Sequence, residues 1–155
     1  MKVHTYEKAF LWSGAVVLVV FLGALLYASA AMGINLPGAE QRVDPATVTS
    51  MPPFDQPGVR QIGEGRYEVV LVARAWQFTP AEIRVPAGSE VTLTATSTDV
   101  IHGIHVEGTR INMMIVPGQI ARNTYTFREP GEHLLVCHEF CGAGHHFMFG
   151  RVIVE

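Results

Sequence analysis

The sequence predicts a mainly β protein, a β-sandwich preceded by a single N-terminal transmembrane helix. Three observations carry this reading. Phe10 to Met32 is almost wholly apolar, and no charged residue stands between Lys8 and Glu40. From Arg66 onward, short runs alternate apolar and polar residues with the period of a strand that buries one face. Pro and Gly punctuate those runs at the intervals that an all-β fold needs for its turns.

The apolar run comes first in the chain. About 20 such residues suffice to cross the hydrocarbon of a bilayer as a helix. The predicted span is about 10–32, within an anchor of residues 1–36. Tyr6 and Trp12 at one end and Tyr27 nearer the other suit the membrane interfaces. Lys2 and Lys8 precede the run, and the first basic residue after it is Arg42. The excess of positive charge before the helix predicts a cytoplasmic N-terminus and an exterior remainder, on the outer side of a prokaryotic plasma membrane. Ala28-Ser29-Ala30 also resembles a signal-peptide cleavage site, but signal h-regions run only about 7–15 residues, so a retained anchor is expected. Beyond the anchor the chain carries nine Arg, no Lys and thirteen Asp or Glu, a net charge of −4. No basic stripe offers a surface for nucleic acid, whereas a mildly acidic exterior permits a basic protein partner.

Residues 37–65 read as a linker. Pro37, Pro45, Pro52, Pro53 and Pro57 forbid a regular helix or a central strand there. Asp44 to Val48 could start one helical turn. The β domain then occupies residues 66–155. Tyr67–Ala73, Glu82–Val85, Val91–Thr96, Asn123–Phe127, His133–Val136 and Phe149–Val154 are the expected strands. Pro86-Ala87-Gly88 and Pro130-Gly131 are turn signals between them.

One stretch carries the chemistry. Cys137 to Met148 holds both cysteines of the chain, three histidines and a methionine within twelve residues. Thiolate, imidazole and thioether together suit a soft or borderline metal, copper above all. A disulfide between Cys137 and Cys141 would close a very small loop and leave the histidines and methionine without purpose. A zinc site would have no need of the methionine. A one-copper blue site uses a single cysteine, so the second sulfur is unaccounted for. Two thiolates can instead bridge two coppers, each copper adding one imidazole and one weak ligand. His145 and Met148 supply two of these. His102, in Asp99-Val100-Ile101-His102, is the best source of the second imidazole, and a backbone carbonyl within the cysteine turn can give the last donor.

Cys-x-Glu-x-Cys-Gly-x-x-His-x-x-Met, with the upstream Asp-Val-Ile-His and Val116-Pro117-Gly118 between them, resembles the binuclear CuA domain of subunit II of haem–copper cytochrome c oxidases. The resemblance covers about Arg66 to Glu155. It implies a cupredoxin fold, with bridging thiolates from Cys137 and Cys141. It implies His102 and Met148 on one copper, and His145 with the Glu139 carbonyl on the other. It also implies electron entry from a c-type cytochrome, with transfer to haem in a partner, oxidase subunit I. The single anchor, where most of the family has two, together with Val-Ile-His-Gly-Ile-His-Val-Glu-Gly-Thr, is similar to the smaller B-type (Thermus-like) oxidases. Two other functions fit the same donors: a membrane-anchored copper carrier or assembly factor, and the CuA domain of a nitric or nitrous oxide reductase.

The remaining candidates have plainer expectations. His105 lies three residues from His102, so on a strand the two face opposite ways and only one can serve the metal. His138 and His146 lie beside the ligand positions, and His133 and His4 are expected in solvent. Met113 and Met114 suit packing. Trp76 and Phe78 are either core aromatics or an electron-entry patch. No acid, base or nucleophile of a catalytic site is evident, so oxygen reduction would belong to the partner.

Overall fold

The computed structural model describes residues 4–32 and 42–155. The first unit is helix α1, Thr5–Met32. Its 28 residues span about 42 Å at 1.5 Å per residue, more than the roughly 30 Å of hydrocarbon in a bilayer. Phe10, Val17, Phe21 and Leu25 all lie exposed along it, so it is apolar on every side. By length and composition such a helix could cross a membrane. The helix starts before Phe10, where the apolar run begins. Glu7 explains the extra turn: its carboxylate accepts the His4 amide at 2.7 Å, satisfying a donor at the helix start.

The second unit is a two-sheet sandwich. Its strands in chain order are β1 (Gly58–Gly63), β2 (Arg66–Arg74), β3 (Gln77–Thr79), β4 (Glu82–Val85), β5 (Glu90–Ser97), β6 (His102–Val106), β7 (Asn112–Ile115), β8 (Ala121–Thr126), β9 (Gly131–Val136) and β10 (Phe149–Val154). One sheet runs β1-β2-β5-β8, with β3 also on β2; the other runs β4-β10-β9-β6-β7. The pairing of β2 with β5 is parallel, as is that of β4 with β10. The chain therefore leaves the first sheet after β3, adds β4 to the second, and returns.

Alternation builds the core. On β5, Val91, Leu93 and Ala95 point inward. They meet Val69 and Leu71 of β2, and Ile104, Leu135 and Val152 of the facing sheet, in one buried cluster. The threonines between them face away from this core: Thr94 is buried there and donates its hydroxyl to Glu68 at 2.9 Å, and Thr92 pairs its hydroxyl with that of Thr124 on β8 at 3.0 Å. Each of the six strands expected from the sequence falls on an observed strand.

The linker is where expectation and structure part. Residues 58–63 lie inside the expected linker, yet they form β1 and pair antiparallel with β2. Upstream, Val48 and Phe54 are fully buried and pack with Val70, Val72 and Ile120. The physical reason lies in β2. Val69-Val70-Leu71-Val72-Ala73 is apolar on both faces, so something has to cover the face turned away from the sandwich core. The proline-rich segment does so without regular structure beyond a short 3-10 turn at Val48–Ser50. Strands β3, β6 and β7 are also absent from the sequence expectation. β3 is only three residues long, and β6 is buried on both faces, which erases alternation.

Phe54→Ala tests the covering segment. The large-to-small change at a fully buried aromatic is expected to cost about 3–5 kcal/mol. Denaturant unfolding of the variant should show a lowered midpoint with an unchanged slope.

Candidate metal centre

The site is a loop closed by two strands. β9 and β10 pair antiparallel, and Val136 stands opposite Phe149 at the open end. Cys137 to Met148 is the connection between them, and the Cys137 amide donates to the Met148 carbonyl at 3.1 Å, fastening its base. Gly142 takes a φ of +115°, a backbone conformation that side chains disfavour. A 3-10 turn at His145–Phe147 follows, held by the His145 amide on the Gly142 carbonyl and the Met148 amide on the His145 carbonyl. This turn brings His145 and Met148 back under Cys141.

His102 arrives from β6. That strand pairs with β9 at His105 opposite Val136 and Val106 opposite Leu135. Continuing the register carries His102, the first residue of β6, alongside the start of the loop. His102 is fully buried, and Cys137, Cys141 and Met148 are buried with it.

The distances describe a compact donor set. The two sulfurs lie 3.9 Å apart. Cys137 Sγ is 4.0 Å from His102 Nδ1 and 3.3 Å from the Glu139 carbonyl. Cys141 Sγ is 3.6 Å from His145 Nδ1 and 3.6 Å from Met148 Sδ. Each sulfur thus has one imidazole and one weaker donor as neighbours. Among the described residues, His102, Cys137 and Cys141 place one ligand atom each within 4.8 Å of one another. The cysteines are free, and 3.9 Å far exceeds a disulfide bond of about 2.05 Å. All the donors named from the sequence converge here: His102, Cys137, Cys141, His145, Met148 and, through its backbone oxygen, Glu139. Their chemistry fits copper, since soft sulfur and borderline imidazole are its preferred ligands.

Burial pushes the Cys141 thiol up to about 11, helped by the neighbouring Cys137 sulfur. Burial also pushes the Asp99 carboxyl up, but hydrogen bonds from the Ala75 amide, His102 and the Val100 amide outweigh it and hold the group below its usual value.

The other candidates separate clearly. His105 sits on the opposite side of β6 from His102 and hydrogen-bonds the Ile111 carbonyl through Nδ1 at 3.1 Å. The His138 ring lies flush against Gly103, where any side chain would collide with it. His146 is exposed and packs on Phe147. His133, expected in solvent, is instead half-buried, packed against Phe127 and bonded to the Glu107 carbonyl at 2.9 Å. Met113 belongs to the core and Met114 is exposed. Phe78 is a core residue, whereas Trp76 is 45% exposed and donates its indole N–H to the Cys141 carbonyl at 3.0 Å. Sequence reasoning misses that bond, although the glycines at 142 and 144 are its visible sign: they leave room for the indole.

Residues 74–155 match the profile of the cytochrome c oxidase subunit II periplasmic domain. The chain belongs to that family. Subunit 2 of the cytochrome c oxidase of Thermus thermophilus is 41% identical over 154 residues, covering 97% of this chain and 92% of the relative. A cryo-EM structure of a heme-copper terminal oxidase dimer contains a chain with a TM-score of 0.76 and 38% identity, covering 97% of this chain and 99% of that one. This subunit II is therefore part of a haem–copper terminal oxidase, an oxidoreductase complex. The periplasmic domain of subunit II (CoxB) of Bradyrhizobium japonicum shares the fold, with a TM-score of 0.53 at 18% identity over 57% of this chain and 83% of that one. The sandwich of subunit II is cupredoxin-like, as the sequence resemblance implied.

Metal loading of the metal-free protein is expected to release protons, because a thiol raised to about 11 is protonated at neutral pH while a metal takes the thiolate. Apparent copper(I) affinity should therefore rise with pH between about 6 and 9. Competition titrations against a chelator at several pH values check this.

Proposed function

We propose that this subunit II is the electron-entry subunit of its oxidase, taking electrons from a c-type cytochrome at a binuclear copper centre and passing them to haem in subunit I. The observation that carries the proposal is the pair of buried sulfurs 3.9 Å apart, each flanked by one imidazole and one weak donor. One sulfur would suffice for a single copper, while two at this spacing suit a shared pair. In this reading Cys137 and Cys141 would be shared between the two metals, His102 and Met148 would hold one, and His145 with the Glu139 carbonyl would hold the other. When bound, the copper pair supplies a one-electron couple spread over two metals and two sulfurs.

The chain's own residues hold that couple. Strands β9, β10 and β6 anchor the ligand segments to a packed core, which limits their movement on electron transfer. Burial of His102, Cys137, Cys141 and Met148 keeps water from the donors. Around them Trp76, Val100, Ile101, Phe140 and Phe147 are exposed, an apolar rim suited to a docking protein. The charges flanking α1 support a cytoplasmic N-terminus, with the copper domain on the outer face of the membrane.

The alternatives fare less well. The nitrous-oxide reductase of Stutzerimonas stutzeri is 36% identical over 94 residues, yet that match spans only 15% of that enzyme. A carrier that hands copper on would need an open site, and these donors are buried.

Cys137→Ser or Cys141→Ser is expected to remove the binuclear centre, with a fall in bound copper and loss of the mixed-valence EPR spectrum. A Cys141→Ser protein that keeps two spin-sharing coppers would sink the bridging assignment. Met148→Leu nearly conserves volume and should cost less than about 1.5 kcal/mol of stability. Both coppers should stay, with a shifted reduction potential, because an axial thioether tunes the metal more than it holds it. Copper analysis and redox titration of the variant check both points.

A further inference from the structure

The ligands come from two separate stretches of chain, and one carboxylate ties them to a third. Asp99 lies in the turn between β5 and β6. Its Oδ1 lies 2.8 Å from His102 Nε2 and accepts the Val100 amide at 2.7 Å. Its Oδ2 accepts the Ala75 amide, 24 residues back in the chain, at 2.7 Å. The buried Ser97 hydroxyl donates to the Val100 carbonyl at 2.6 Å and accepts the Asp99 amide at 3.2 Å, so the turn itself is pinned.

The connection continues beyond Ala75. The next residue, Trp76, donates its indole N–H to the Cys141 carbonyl at 3.0 Å. Its ring lies against Gly142 and Gly144, and a side chain at Gly144 would collide with it. A continuous path therefore runs from the His102 ring through Asp99 and the Ala75–Trp76 backbone to Cys141. It joins the β5–β6 turn, the β2–β3 turn and the β9–β10 loop at one end of the sandwich.

Chemistry sets the direction of the first link. An ionised carboxylate only accepts, so the ring proton of His102 sits on Nε2. The lone pair is then on Nδ1, the atom that faces the Cys137 sulfur at 4.0 Å. The opposite tautomer would put a proton between that ring and the sulfur and leave Asp99 facing a second lone pair.

We propose that Asp99 is a positioning residue. It selects the Nε2–H tautomer of His102 and braces that ring, through the Ala75 amide, to the Trp76 loop that clasps Cys141. Both ligand segments thereby hold their places before any metal arrives. The consequence for copper rests on the function proposed above; the brace itself belongs to the metal-free protein and is tested there.

The test is ¹⁵N NMR of the metal-free full-length chain in detergent, comparing the parent with Asp99→Asn. The parent should show His102 with a protonated Nε2 and an unprotonated Nδ1. Asparagine offers one acceptor oxygen and one donor nitrogen, so it can serve His102 or Ala75 but not both. In the variant, either the second tautomer of His102 appears or the Ala75 amide exchanges about tenfold faster or more. Copper(I) affinity should fall about 10–100-fold, the usual effect of losing a partner of a metal-binding histidine. A variant that keeps both the parental tautomer and the parental Ala75 exchange overturns the proposal. So does a parent whose His102 carries its proton on Nδ1, a result that needs no variant to fold. A parent with the Nε2–H tautomer that takes up no copper pair would sink the copper reading and support the brace.

Discussion

The antiparallel pairing of β9 with β10 is the constraint on which the metal centre depends. It brings Val136 opposite Phe149 and turns everything between them into one loop with fixed ends. A free loop of that length would spread its donors over many conformations. Here the closing hydrogen bond from Cys137 to Met148 and the 3-10 turn at His145–Phe147 leave few. The register between β9 and β6 then sets where His102 meets the loop. A slip of one residue would turn His102 away from the loop and bring the wrong face of β6 to it.

The sandwich behind this loop draws rigidity from β2, which is buried on both faces. Its inward residues meet the main core, while Val70 and Val72 pack under Phe54, Val48 and Ile120. Surface charge contributes far less. Arg60–Glu68, Arg66–Glu90 and Arg151–Glu132 pair at 3.3, 3.5 and 3.2 Å, but mostly in solvent. Exposed pairs of this kind are worth about 0–1 kcal/mol each. Packing, and hydrogen bonds shielded from water, are what hold the site still. Stillness suits a redox centre, because ligands that do not move add little reorganisation to an electron transfer.

The electrostatics of the centre follow from the same burial. A dry pocket discourages lone thiolates, which is why the Cys141 thiol sits at about 11. A metal reverses that preference by supplying the missing positive charge. The pocket thus favours Cys141 either as a neutral thiol or as a thiolate on a metal. Around the rim, Trp76 combines an exposed edge with a hydrogen bond to the backbone of Cys141, so a surface side chain is coupled to a residue whose sulfur is buried.

The sequence by itself determined the apolar helix, the β class, the main strands and the donor-rich stretch. Each of these is a local property: a run of apolar residues, a period of two, or ligand types close together in the chain. Asp-Val-Ile-His could be linked to the distant loop only by its place after a strand and by resemblance, because no local pattern brings residue 102 beside residue 137. Tertiary structure alone decided the rest. The segment around Phe54 reads as a linker because prolines suppress regular structure, and only the bare outer face of β2 makes it a buried cover. His133 reads as solvated because a lone histidine carries no sign of its neighbours. Trp76 and Phe78 are alike in the chain, but β3 turns one into the core and leaves the other on the cysteine loop. Asp99 reads as an ordinary turn residue until the fold sets Ala75 and His102 on either side of its carboxylate. Contacts between segments far apart in the chain depend on register and packing, and those are fixed only when both sheets close on one core.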